Sequence, residues 1–176
     1  MSSSISMLRS EGGPWGVWVR TPLGLDGLGF LDEARAMGES AGVKNLVFEL
    51  GPPGDGVLSW SAAARGAATE MIHAALEWSG TTGCTVCLRP EANHLISDVP
   101  STLAALRAHP NLRLALDPAA LLTESMLVHR AQHMERARHA FGQHPQVACV
   151  MVNNAKETVG SMKMPDVEVP CVWPAP

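Results

Sequence analysis

The stretch NLRLALDPAALL, Asn111 to Leu122, decides how the chain is read. Leu112, Leu114 and Leu116 alternate with Arg113, Ala115 and Asp117, which is the two-residue period of a β-strand. The leucines suit packing against helices, so Asp117 points to the opposite face and stands where the strand ends. An acid at the end of an apolar strand has two explanations. It is a metal ligand at the mouth of a barrel, or it starts the next loop or helix.

Working outward, the same alternation recurs. KNLVFELG (Lys44–Gly51) puts Leu46 and Phe48 on one face and Val47 and Glu49 on the other. CTVCLR (Cys84–Arg89) separates Val86 and Leu88 from Thr85, Cys87 and Arg89. QVACVMV (Gln146–Val152) separates Val150 and Val152 from Cys149 and Met151, with Asn153 continuing the second set. GVWVR (Gly16–Arg20) has strand composition. Helical patterns lie between the strands: Phe30–Gly42, the Ala-rich Ser59–Gly80, Pro100–His109 with proline at its start, and a long helix over Leu122–His144.

Strict alternation of strand and helix predicts an α/β chain of about five parallel strands. A whole (β/α)₈ barrel needs about 200–250 residues, so 176 residues suit a partial TIM-type barrel. The expected organisation is a flexible segment over 1–14, the half-barrel over 15–155, and a Pro-rich tail over 156–176. In this architecture ligands sit at the C-terminal ends of the strands. There the alternation brings Glu49, Arg89, Asp117 and Asn153 together on one face.

Composition excludes several classes. Apolar residues make up 46% and charged residues 17%, as in a globular domain. The net charge is -4, the 13 basic residues are scattered, and Tyr is absent, which leaves no footprint for nucleic acid. No apolar run reaches the ~18 residues of a membrane span and the N-terminus lacks an apolar signal region, so the expectation is a cytoplasmic chain. Cys84 and Cys87 form a CxxC without a second pair at zinc spacing and read as core residues. His129 and His133 share a helix face without a third ligand in sequence.

The runs NLVFELGPPG, LRPEANHLISDVPSTLAALRAHPNLRLALDPAALL and VACVMVNNAK together resemble the xylose isomerase-like TIM barrels, over roughly residues 30–155. That group contains sugar isomerases and sugar phosphate isomerase/epimerases. The resemblance implies metal-assisted aldose–ketose isomerisation or epimerisation of a sugar or polyol. It implies Mn²⁺ or Mg²⁺ held by Asp117, with Glu91 as second ligand and His94 as third. On that resemblance Glu91 and Glu49 would be the catalytic carboxylates, and Arg89, His94 and Asn153 substrate or ion-pair groups. The chain departs from the family pattern at Arg89, where a ligand Glu belongs, at Ala120 in place of a His, and at Cys149, Met151 and Asn154 in place of a His-x-His-x-x-Asp run. A permanent cation at Arg89 would lie between Glu49 and Asp117 and take the metal's structural place. Two readings follow: an isomerase-like barrel protein, or a non-catalytic pseudoenzyme or interaction domain. Five parallel strands with open edges leave three outcomes: a fragment of a longer protein, a second copy completing the barrel, or an open sheet.

Overall fold

The computed structural model describes residues 5–10, 13–23, 28–53, 56–151 and 171–172. Twelve elements follow in chain order. Strands β1 (Ile5–Ser10) and β2 (Gly13–Leu23) precede helix α1 (Leu28–Ala41). β3 (Asn45–Leu50), α2 (Ala62–Thr82), β4 (Thr85–Leu88), α3 (Val99–Ala108) and β5 (Arg113–Leu116) alternate. A 3₁₀ turn (Glu124–His129) leads into α4 (Arg130–Phe141), then β6 (Val147–Met151) and β7 (Cys171–Val172).

The strands form one sheet in sequential order. β2 through β6 are mutually parallel, the five parallel strands expected. β1 pairs antiparallel with β2, and β7 antiparallel with β6. The sheet curls until β1 and β7 approach each other. The result is a half-barrel whose parallel core carries an antiparallel strand on each edge, the covering that exposed sheet edges need.

Alternation along each strand builds two cores. Leu46, Phe48, Val86, Leu88, Leu112, Leu114 and Leu116 pack outward with the helices. Trp18, Val47, Cys87, Ala115, Cys149 and Met151, with Leu8 of β1, fill the concave side. These are the faces the sequence assigns. Parallel strands covered on both sides read as near-continuous apolar runs, and these do.

Three expectations are corrected. The segment 1–14 is not simply a flexible lead-in. Ile5 and Met7 pack against the outer core and Leu8 lies in the inner one, an alternation that the flanking serines obscure. Cys171–Val172, within the expected tail, pairs with Val150 and Met151. The helix over Leu122–His144 divides. Its first turn, Glu124–His129, buries no residue and leaves Leu127 and Val128 exposed, so no packing supports a regular α-helix there. The other helices match closely. Ser61 caps α2 through its side chain on the Ala64 amide, and Gly83 ends it in the left-handed region at φ 69°. No helix among the described residues is long and apolar enough to cross a membrane.

Candidate functional site at the strand ends

β3, β4 and β5 are adjacent, and Phe48 of β3 pairs with Leu88 of β4. The next residue on each strand path is Glu49 and Arg89, and both turn to the concave side. Asp117 follows the last residue of β5. These three side chains crown the inner core at the C-terminal ends of the strands. Glu49 is 4% exposed, Arg89 6% and Asp117 0%.

Arg89 is the centre. Its Nη1 donates to Glu49 Oε1 and to Glu91 Oε2, and its Nη2 donates to Asp117 Oδ2 at 2.8 Å. The guanidinium carbon stands 4.7 Å from the centre of the Trp18 ring, within cation–π range. Trp18 Nε1 also donates to Glu49 Oε1 at 3.0 Å. Three carboxylates and an indole therefore surround one buried cation.

Asp117 has a second duty. Its Oδ1 accepts from the amides of Ala119 (3.1 Å) and Ala120 (3.3 Å). This is the side-chain-to-backbone turn that Asp forms after a strand. The acid at the end of β5 is thus both a loop starter and an ion-pair partner, one oxygen for each.

The loop after β4 brings Glu91 and His94 to the same place. Its backbone is tied down on three sides. The Leu95 amide reaches Gly51, the Ala92 amide reaches Ala120, and the Glu91 amide reaches Ile96. Asn93 takes the left-handed conformation at φ 67°, which Asn tolerates better than most residues. The His94 amide can then donate back to the Glu91 carbonyl at 3.1 Å. The Glu91 side chain keeps 36% of its surface in solvent. Glu49, Glu91 and His94 each offer a ligand atom, all within 4.8 Å of one another, a group that could hold a cation.

The electrostatics follow from burial and from the guanidinium. Burial pushes the Glu49 carboxyl up to about 7. Arg89 and the Trp18 indole oppose that rise, and Glu91 adds to it. Burial works against the Arg89 charge, but Asp117, Glu49 and Glu91 more than offset it, so its pKa is raised. Burial lowers His94 below its ordinary value, with Arg89 acting in the same direction and Glu91 against it.

A pH effect follows for Glu49. Its folded pKa lies above the ordinary value of 4.5, so its contribution to stability is full below pH 4.5 and is lost as pH rises through about 7. Glu49→Gln has no proton to lose. In chelator-treated buffer, the stability of the parent relative to Glu49→Gln should fall between pH 4.5 and 8. Urea denaturation across that range measures it, and a flat difference would contradict the assignment.

Strand alternation places Glu49, Arg89 and Asp117 together, and the structure does so, with Glu91 and His94, the two loop residues named on the resemblance, beside them. Asn153 lies outside the described residues. Trp18 is the site residue that the reading misses, because the tryptophans look like dispersed packing residues. The signal is present in GVWVR: Val17 and Val19 face outward, which turns Trp18 inward beside Val47, its partner in register.

No family model matches the chain, and no curated protein matches it. Among solved structures, it is similar to the crystal structure of the probable 3-DHS dehydratase AsbF involved in petrobactin synthesis from Bacillus anthracis. The TM-score is 0.54 at 18% identity, over 82% of this chain and 48% of that one. The chain thus spans about half the length of the structure it matches, and at that identity the likeness shows the fold: an α/β chain curled into a partial TIM-type barrel.

Proposed function

We propose that the chain is a sugar isomerase/epimerase-like half-barrel that binds an unphosphorylated aldose or ketose at the ends of β3–β5 and moves a proton on it through Glu91. The observation that carries this reading is the convergence of Glu49, Arg89, Glu91 and Asp117 at that end, with Glu91 the carboxylate that reaches solvent. Isomerisation and epimerisation both begin with removal of the proton from the carbon beside a carbonyl. The resulting enediol takes a proton back at the neighbouring carbon or on the opposite face. A carboxylate can accept and return that proton with no oxidant or reductant. His94, held below its ordinary pKa, is a neutral hydrogen-bonding partner for a hydroxyl. Among the described residues three carboxyl groups face one guanidinium, an arrangement that suits hydroxyl donors better than a phosphate.

The resemblance implies a divalent metal held by Asp117, and the residues do not fit that arrangement. Asp117 is fully buried, with one oxygen on Arg89 and the other on two backbone amides. The proposed reaction therefore takes no step through a metal at Asp117. Arg89 acts as a positioning residue that holds the carboxylates together.

The test is an exchange experiment. The full chain is incubated in D₂O with a panel of unphosphorylated aldoses and ketoses, and NMR follows both their binding and deuterium entering at the carbon beside the carbonyl. Exchange with one sugar, lost in Glu91→Gln while circular dichroism is unchanged, is the expected result. Binding without exchange would instead support the non-catalytic reading, which the arginine in a ligand position favours. Neither binding nor exchange would overturn the sugar reading.

A further inference from the structure

We propose that a second copy of this chain docks on the C-terminal strand-end side of the half-barrel, with Trp60 of each copy seated in an apolar groove of the other. Among the described residues the large apolar side chains left exposed are Met37, Leu58, Trp60, Leu127 and Val128. All but Met37 lie on two connections, the one from β3 to α2 and the one from β5 to α4. Both connections leave the ends of parallel strands. These four side chains therefore share the end of the half-barrel that carries Glu49, Arg89 and Asp117.

Trp60 is a fixed projection. It directly precedes Ser61, the N-cap of α2, and it is 71% exposed. Its carbonyl accepts from Arg65 Nη1, and the Ser61 amide closes a turn on the Leu58 carbonyl at 2.9 Å. An apolar residue just before an N-cap often packs on an apolar side chain at the fourth position of its own helix. Here that position is Arg65, so this contact is missing and the indole stays in solvent.

The groove lies one helix away. Val99 and Pro100 at the start of α3, Leu121 and Leu122 after β5, and Met126 of the 3₁₀ turn line an open space of about 400 Å³. It stays open because that turn buries none of its residues and α4 begins only at Arg130. Leu127 and Val128 continue the chain from Met126 and add exposed apolar surface.

What selects a second copy is that one molecule carries both halves of the contact. A large indole and an apolar hollow are what an interface anchor and its pocket consist of. Both stand at the same end of the chain's fold. Two copies meeting by those ends about a two-fold axis make the contact twice, and the assembly closes. The charges agree. Arg65 is exposed beside Trp60, and Asp98 is exposed on the α3 rim of the groove, with His133 and Arg136 on the α4 side. Arg65 of one copy thus meets Asp98 of the other. Pairing through the sheet edges is a different arrangement. Each edge already carries an antiparallel strand, and the two approach each other.

Analytical ultracentrifugation of the full chain over a dilution series is the test, and a monomer–dimer equilibrium is expected. Trp60→Ala removes the projection, and Met126→Arg puts a charge in the groove. Each should weaken the dimer about tenfold or more with circular dichroism unchanged, while Met37→Ser leaves it as it was. Each variant alone lacks both contacts. A mixture of the two restores one, the indole of the Met126→Arg chain in the groove of the Trp60→Ala chain. The mixture should therefore dimerise more tightly than either variant alone. A parent that stays monomeric would overturn the proposal, as would a dimer indifferent to both substitutions or a mixture no tighter than its components. None of these measurements involves a sugar, so their failure leaves the sugar reading standing.

Discussion

Arg89→Met is expected to destabilise the fold by about 3–5 kcal/mol, the usual cost of breaking a buried ion pair from one side. Arg89 bonds to Glu49, Glu91 and Asp117, and it is 6% exposed. Methionine fills much of the same volume, so the loss reports charge more than packing. The carboxylates left behind cannot all remain ionised so close together. Their folded pKa values then rise above their unfolded ones. Such groups support the fold below their unfolded pKa and cease to do so as pH rises through the folded value. The variant should therefore recover part of its stability on moving from pH 7 to pH 4, relative to the parent. Arg89→Lys should recover only part of the loss at pH 7, because an ammonium lacks the planar fork that serves three acceptors and stacks on Trp18. Urea denaturation of all three chains at pH 4 and pH 7 measures this. A Met variant as stable as the parent at pH 7 would show that the cluster does not hold the fold.

The reason the cluster is legible in sequence is geometric. A strand has a strict period of two, so the leucines of LRLALD assign a face to Asp117, and the same logic assigns Glu49 and Arg89. Parallel strand order then puts all three at one end, and those contacts are present. The alternation cannot show how far a loop side chain reaches. Glu91 and His94 enter the cluster through the turn at Asn93, a backbone conformation that no periodicity encodes. Trp18 is hidden for another reason: an inward tryptophan looks the same in sequence whether it packs against Met151 or stacks on a guanidinium.

The edges of the sheet were less readable than its centre. Parallel strands β3 to β5 are buried on both faces and announce themselves as apolar runs. β1 is covered less completely and begins among serines, so its alternation is faint. The 3₁₀ turn at Glu124–His129 contains good helix formers, yet local propensity loses where no buried face rewards a regular helix. Apolar content predicts the core, and only tertiary packing decides which flanking segments join it.

Asp117→Ala should match the arginine substitution in size, about 3–5 kcal/mol, and the two should not add. Asp117 is fully buried and accepts from Arg89 on one oxygen and from the Ala119 and Ala120 amides on the other. Alanine removes the charge partner and the turn acceptor together. Asp117→Asn keeps a carbonyl oxygen for the amides but loses the charge, so it should fall between parent and Ala. Once Arg89 is Met, the negative charge of Asp117 is a liability in the fold. Removing it in that background should cost less than in the parent, giving a coupling energy of about 1–3 kcal/mol in the double-mutant cycle. A metal-ligand role for Asp117 makes a different forecast. The substitution would then abolish ion binding while changing the stability of the chelator-treated protein little. Denaturation and metal titration on the same Asp117→Ala protein therefore separate the roles. Large destabilisation, with Arg89 and Asp117 strongly non-additive, assigns the acid at the end of LRLALD to the arginine and the turn.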